Sequence, residues 1–518
     1  MSAELDELQR SPREVARWQK AQQDLLRGRA DLAADGYRDL LKRFPQAARL
    51  WFELGFAEGK RLEFAAAGQA CRRAAELASH DVAQLVLIAE QCHWLRQPDN
   101  ARACFEQAVA ADPGSLHAQL SLADWYERER RLDDAWRCVE VCLAKEPKDL
   151  QVLCVKAQLL HRRGLNEEAE RLLRDIIQRG SLDANVNYSS RQQLGVVLDQ
   201  AGQYGEALKW LAEAKALLRR TANIPKLEQD YDRAARRRHD LLTALKPENI
   251  QRWRREGPAA AVTYRLAFLG GHPRSGTTLL EQILGAHPAI AAFDEPMAFV
   301  DEVSEKLAPM AAPYPLTARH LDELTGHQRA DFLRRYFRSL LRDAAPPAET
   351  VLLDKNPSPT GSLHIWLRML PELKVIIALR DPRDVVISCY FQNLRLNATN
   401  ANFLSLERTA KHYADLMEVW LRLRELGGFD WMETRYEDLV RKPENEGRRV
   451  TEFLGLSWHA QQAAFQETNR KKFVFSPTYS DVGGPIYQRA VGRWKFYAEA
   501  LAPVQEKLAP YGRAFGYL

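Results

Sequence analysis

Pro45, Ser79, Pro113, Pro147 and Ser181 follow one another at steps of 34 residues, and no other feature of this 518-residue chain restricts its fold as strongly. Residues suited to helix packing keep the same phase between Trp18 and Arg220. Trp51, Leu54 and Gly55 go with Ala67 and Ala74; Ile88 and Ala89 go with Ala101, Phe105 and Ala108; Leu122, Ala123 and Tyr126 go with Ala135. After Ala157 and Ala169 the phase slips by four and resumes at Leu194, Gly195, Ala207 and Ala214. Small residues at fixed positions let two helices approach, and large ones fill the groove to the next pair. No single pair can bury its apolar face alone, so the expected product is an all-α solenoid of about six repeats over 14–221.

The pattern resembles the tetratricopeptide repeat, W-x2-L-G…A-x3-F…P. The resemblance implies a concave groove suited to a peptide or protein acceptor; a homodimer contact and a cap for the following domain stay open beside it. Trp51, Trp94, Trp125 and Tyr126 are expected mainly in the core rather than lining that groove. Residues 222–262 follow as a basic helical linker or cap (YDRAARRRHDLLTALKPENIQRWRREG), closing at Gly257 and Pro258. Arg236 to Arg238 are read as a solvated helix face, not a nucleic-acid patch.

A net charge of +5 permits an anionic ligand without implying nucleic acid. Hydrophobic residues at 46% and charged residues at 28% suit a globular protein. The charged start MSAELDELQRSPREVARW carries no apolar core, and no later run approaches a spanning length, so the expectation is a cytoplasmic protein with no membrane segment. Seven cysteines without a C-x-x-C spacing are expected as reduced core thiols, neither a disulfide frame nor zinc ligands.

The chemistry is expected in 263–518. Leu266 to Leu269 form a short apolar run that breaks at Gly270 and Gly271; beyond Ser275 and Gly276 a helical pattern begins with Leu279, Leu280, Ile283 and Leu284. Strand, tight loop and helix make an anion cradle, because glycines let backbone N–H groups approach and the helix N-terminus favours negative charge. Gly271 and Gly276 have the G-x-x-x-x-G spacing, but Thr277 stands where a nucleotide kinase has lysine, with Thr278 next. Arg274 inside the loop supplies the fixed charge instead, which suits a sulfated phosphate better than a metal-bound triphosphate. Apolar strands at Val351 to Leu353, Lys374 to Leu379 and Phe429 to Arg435 alternate with helical stretches, the signature of an α/β domain with a parallel sheet.

HPRSGTTLLEQILGAHP followed by DEP resembles the 5′-phosphosulfate loop of sulfotransferases that use 3′-phosphoadenosine 5′-phosphosulfate (PAPS), closest to the tyrosylprotein sulfotransferase branch and to sulfotransferase domains joined to tetratricopeptide repeats. The resemblance implies a P-loop-like domain in which Arg274, Ser275, Gly276, Thr277 and Thr278 hold the 5′-phosphosulfate. In KVIIALRDPRDVVISCYF, Arg380 ends a strand, Asp381 can cap the next helix and Pro382 opens it; Arg380 and Ser388 match the family's 3′-phosphate pair. By the same resemblance Lys355 of LLDKNP contacts the bridging oxygen, Glu295 of FDEP is the general base with Asp294 as its competitor, Thr478 helps stabilise the transferring group, Arg493 meets the nucleotide phosphate and Tyr436 lies beside the adenine. No metal is implied. Met297 stands where the family has a substrate-gripping arginine, which weakens the expectation of an acidic tyrosine peptide. The expected activity is sulfuryl transfer from PAPS to an acceptor hydroxyl on a peptide or protein. A saccharide or small metabolite, or a non-catalytic nucleotide-binding scaffold, are the alternatives.

Overall fold

Helices begin at Ala48, Val82, Leu116, Leu150 and Ala184, each 34 residues after the one before. The computed structural model describes residues 3–259, 263–312, 314–393, 395–469, 473–476, 484 and 486–518. The beat is enforced locally. Asp81, Ser115, Asp149 and Asp183, also 34 apart, are the N-caps of α6 (Val82–Trp94), α8 (Leu116–Arg128), α10 (Leu150–Arg162) and α12 (Ala184–Gln200), and each side chain accepts a backbone N–H of its helix. Each such cap contributes about 1 kcal/mol. Ala67, Ala74, Ala101, Ala108, Ala135, Ala157, Ala169, Ala207 and Ala214 are fully buried, as the packing argument requires.

The remaining array helices are α1 (Ala3–Arg10), α2 (Pro12–Leu26), α3 (Ala30–Leu41), α4 (Ala48–Lys60), α5 (Phe64–Leu77), α7 (Pro98–Ala111), α9 (Leu132–Lys145), α11 (Asn166–Arg179) and α13 (Tyr204–Leu218). The four-residue slip has a structural cause: α12 runs 17 residues where α10 runs 13, one helical turn more. Of the four aromatics, Trp125 is core, whereas Trp94 is 44% exposed and stacks on Phe56. The seven cysteines are buried free thiols.

The chain divides into two units, Met1–Leu172 with Leu341–Ala345, and Leu173–Leu340 with Pro346–Leu518. The last helical pair, α12 and α13, therefore belongs to the second unit. So do α14 (Ile224–Ala244) and α15 (Pro247–Glu256), anchored there by buried Trp253, whose Nε1 donates to Asp322 at 2.7 Å, and by an Arg408–Asp232 pair at 3.0 Å.

Five parallel strands form the sheet of the second unit: β1 (Arg265–Gly271), β2 (Ile290–Asp294), β3 (Val351–Lys355), β4 (Lys374–Leu379) and β5 (Trp431–Arg435), in the order β2-β3-β1-β4-β5. Continuous burial along β1, β3 and β4 reflects a sheet covered on both faces. Strand β2 was not among the strands expected from sequence. At five residues, rich in alanine, it carries no periodic signal of its own, and its pairing with β3 creates it. Among the described residues no helix is long and apolar enough to cross a membrane.

Candidate active site

The loop leaving β1 is shaped by two glycines. Gly271 has φ +123°, and a Cβ there would lie 2.3 Å from the carbonyl oxygen of Ala378 on β4, so only glycine fits. Gly276, at φ +90°, caps α16 (Thr277–Gly285), and the Tyr436 ring packs where its Cβ would stand. Arg274 also takes a left-handed conformation, φ +74°, a strained backbone of the kind concentrated at ligand-binding turns. Ser275, Thr277 and Thr278 are buried against this turn at the helix N-terminus.

Adjacent strands deliver the next group. Asp294 and Lys355 are register partners at the carboxyl ends of β2 and β3, where open α/β sheets bind ligands. The fully buried Lys355 ammonium contacts Asp294, Glu295 Oε1 at 3.3 Å and Thr278 Oγ1 at 3.4 Å. Burial opposes its charge, but Glu295, Asp294 and Glu281 together hold its pKa above the ordinary lysine value. The two acids differ. Asp294 is buried, and its Oδ2 accepts the Phe475 and Ser476 amides at 2.8 and 3.0 Å. Burial works against its ionisation, yet Lys355 and those amides keep its pKa below the ordinary carboxylate value. Glu295 sits at φ +48°, and its side chain is 32% exposed.

A third group gathers beyond β4. Asp381 caps helix Pro382–Tyr390, with Pro382 in its first turn. Arg274 Nε donates to Ser388 Oγ at 3.1 Å, and Arg380 donates to the carbonyls of Arg274 at 3.0 Å and Ala490 at 2.5 Å. The Arg380 guanidinium lies 4.8 Å over the Tyr436 ring. The structure thus joins Arg274, Arg380, Ser388 and Tyr436 in one cluster, although 162 positions separate the first from the last.

Residues 267–460, which contain Arg274, Thr278, Asp294, Glu295, Lys355, Arg380, Ser388 and Tyr436, match the model of the Sulfotransferase family. This segment is a sulfotransferase domain. An uncharacterized protein of Aquifex aeolicus is 27% identical over 354 residues, covering 66% of this chain and 44% of its own. Protein-tyrosine sulfotransferase A of Caenorhabditis elegans is 24% identical over 262 residues, covering 48% of this chain and 66% of its own. The chain thus spans less than two thirds of the length of either relative. The sulfotransferase domain of the Synechococcus PCC 7002 olefin synthase aligns with 51% of this chain and 96% of its own at 20% identity, with a TM-score of 0.34. The protein is a tetratricopeptide-like helical array followed by a sulfotransferase domain with a parallel sheet.

Arg493, beyond the matched segment, is placed by residues that sequence reasoning missed. Asp384, buried in helix Pro382–Tyr390, accepts the amides of Gly492 and Trp494 at 2.7 Å each, gripping the backbone on both sides of Arg493. Burial raises the Asp384 pKa against the opposing pull of Arg380 and the two amides. The Arg493 side chain meets Asp199 of α12, with Nε and Nη2 at 3.1 and 2.9 Å from its two oxygens. No local spacing signalled either acid, since each finds its partner over a hundred or more residues of chain. Thr478 lies outside the described residues. Among the described residues no group of three or more His, Cys, Asp or Glu is arranged to hold a metal ion.

Proposed function

We propose that this protein transfers the sulfuryl group of PAPS to an acceptor hydroxyl, releasing adenosine 3′,5′-bisphosphate. The observation that carries the reading is the position of Lys355: one buried ammonium touches both Thr278 of the anion loop and Glu295, the acid open to solvent. The donor site also fits an anionic nucleotide. Arg380 is buried, and among the described residues its Nε has no hydrogen-bond partner, a donor left for a ligand oxygen. Around it Arg274 and Ser388 provide charge and hydroxyl for a 3′-phosphate and a 5′-phosphosulfate, Tyr436 offers a face for the adenine, and Arg493 is assigned by the family resemblance as a further phosphate-binding cation.

PAPS supplies an activated sulfuryl group whose S–O bond to phosphate breaks as the acceptor oxygen attacks. The loop amides and Arg274 fix that group in line with the acceptor. Glu295 takes the acceptor proton, and its partly exposed carboxylate suits this role better than buried Asp294, whose Oδ2 the Phe475 and Ser476 amides occupy. Lys355, held as a cation, donates a hydrogen bond to the oxygen that leaves with the electron pair. Positioning and preorganised charge then carry the rate, as in phosphoryl transfer.

The acceptor we favour is a hydroxyl on a peptide or protein brought by the repeat array. Met297, 51% exposed two residues beyond Glu295, offers no charge to grip an acidic peptide, so a saccharide or small-metabolite acceptor is the second reading. The test has two parts. Adenosine 3′,5′-bisphosphate at about a hundred times its dissociation constant should add about 2.7 kcal/mol of stability. Better protection by ATP with magnesium would overturn the donor assignment. Labelled PAPS offered with tyrosine peptides, glycans and small hydroxyl compounds should then mark one acceptor class.

A further inference from the structure

We infer that Asp199, in the last turn of α12, is a positioning residue of the donor site, so that the final helical pair of the repeat array is a working part of nucleotide recognition. The inference rests on the donor reading above and adds to it a residue from outside the sulfotransferase segment.

Asp199 engages the side edge of the Arg493 guanidinium through Nε and Nη2. A guanidinium carries five N–H donors in a fixed planar fork, so this pairing leaves the end-on Nη1/Nη2 edge, the geometry that meets a phosphate with two parallel bonds. The Tyr497 hydroxyl donates to the same Asp199 oxygen, and the Arg493 plane packs 4.2 Å from the Phe391 ring centre. Backbone and side chain of Arg493 are therefore fixed independently, the first by Asp384 and the second by Asp199.

The location argues against a merely local role. An acid in the last turn of a helix faces the negative end of the helix dipole and gains nothing from its own helix. Here it lies in α12, which is one turn longer than α10. The same helical pair braces the far end of the helix carrying Ser388. Gln192 Nε2 donates to the Phe391 carbonyl at 2.7 Å, Lys215 Nζ to the Gln392 carbonyl at 2.7 Å, and the Tyr188 hydroxyl to Asn393 Oδ1 at 2.8 Å. The helix ends at Tyr390 with Phe391 as its C-cap, so α12 and α13 supply donors to the cap carbonyl and to the two residues that follow it. Both the Ser388 helix and the Arg493 turn are thus held by the last repeat.

The test compares dissociation constants for adenosine 3′,5′-bisphosphate and adenosine 5′-monophosphate in the full chain. Asp199→Ala should weaken the bisphosphate about tenfold while leaving the monophosphate unchanged, and Asp199→Asn, which keeps the shape, should lie between. Asp199→Ala combined with Arg493→Ala should bind no worse than Arg493→Ala alone. An Asp199→Ala protein that holds the bisphosphate like the wild type, or loses both nucleotides equally, overturns the inference; so does additivity in the double variant. A wild-type protein with no preference for the 3′-phosphate would instead overturn the donor reading itself.

Discussion

Asp294 and Lys355 stand opposite each other at the ends of β2 and β3 and form a buried ion pair. Removing one partner strands the other charge in a buried position, which costs about 3–5 kcal/mol. Lys355→Ala should therefore lower the urea midpoint substantially. Lys355→Ala with Asp294→Ala together should cost less than the sum of the two single changes. Additive losses would mean the pair is not coupled.

The catalytic assignment separates two neighbouring acids. Glu295→Gln should reduce sulfuryl transfer by about a hundredfold or more while leaving affinity for adenosine 3′,5′-bisphosphate within about twofold, because proton removal and nucleotide binding use different groups. Asp294→Asn should lower stability as well as rate, since its carboxylate anchors Lys355 and the Phe475–Ser476 backbone. Parallel rate and denaturation measurements decide between them, and normal turnover by Glu295→Gln removes Glu295 as the base.

Gly271→Ala places a methyl group against the Ala378 carbonyl at a φ that alanine avoids. The strained backbone alone costs about 1–3 kcal/mol, with the overlap added. The expected result is a lower melting temperature together with loss of nucleotide binding. Gly326→Ala, where nothing lies within 4 Å, is the control expected to leave both unchanged.

Acid sensitivity follows from buried histidines. Burial lowers His272 from the ordinary 6.5 to about 4, and burial with nearby Arg238 lowers His364 to about 3. The unfolded chain takes these protons near pH 6.5 and the folded chain only near pH 4 and 3. Stability should thus be full above pH 6.5 and fall as pH drops toward 4, by up to about 1.4 kcal/mol per pH unit for each proton. Urea midpoints measured from pH 7 to 4.5 check this, and His364→Phe should flatten the slope.

Local signals carried much of the architecture. The 34-residue beat and its buried alanines, the Gly271 to Gly276 loop, the capped Pro382 helix and the strand-end positions of Lys355 and Arg380 all follow from spacing within a short window, where helix period and backbone sterics act directly. Strand β2 escaped that reading because its pairing with β3, rather than its own composition, makes it a strand.

What the linear order of residues determined is the pair of architectures and the glycine-framed loop between β1 and α16, since periodicity, glycine placement and capping are properties of neighbours along the chain. Tertiary structure alone decided which acid of the Asp294–Glu295 pair stays open to solvent, because Phe475 and Ser476 arrive from some 180 residues away to occupy the other. It likewise brought Asp199 to Arg493 across 294 residues and Asp384 to Gly492 across 108. Such contacts form only when the sheet closes and the last repeat packs with it, so no local pattern could carry them.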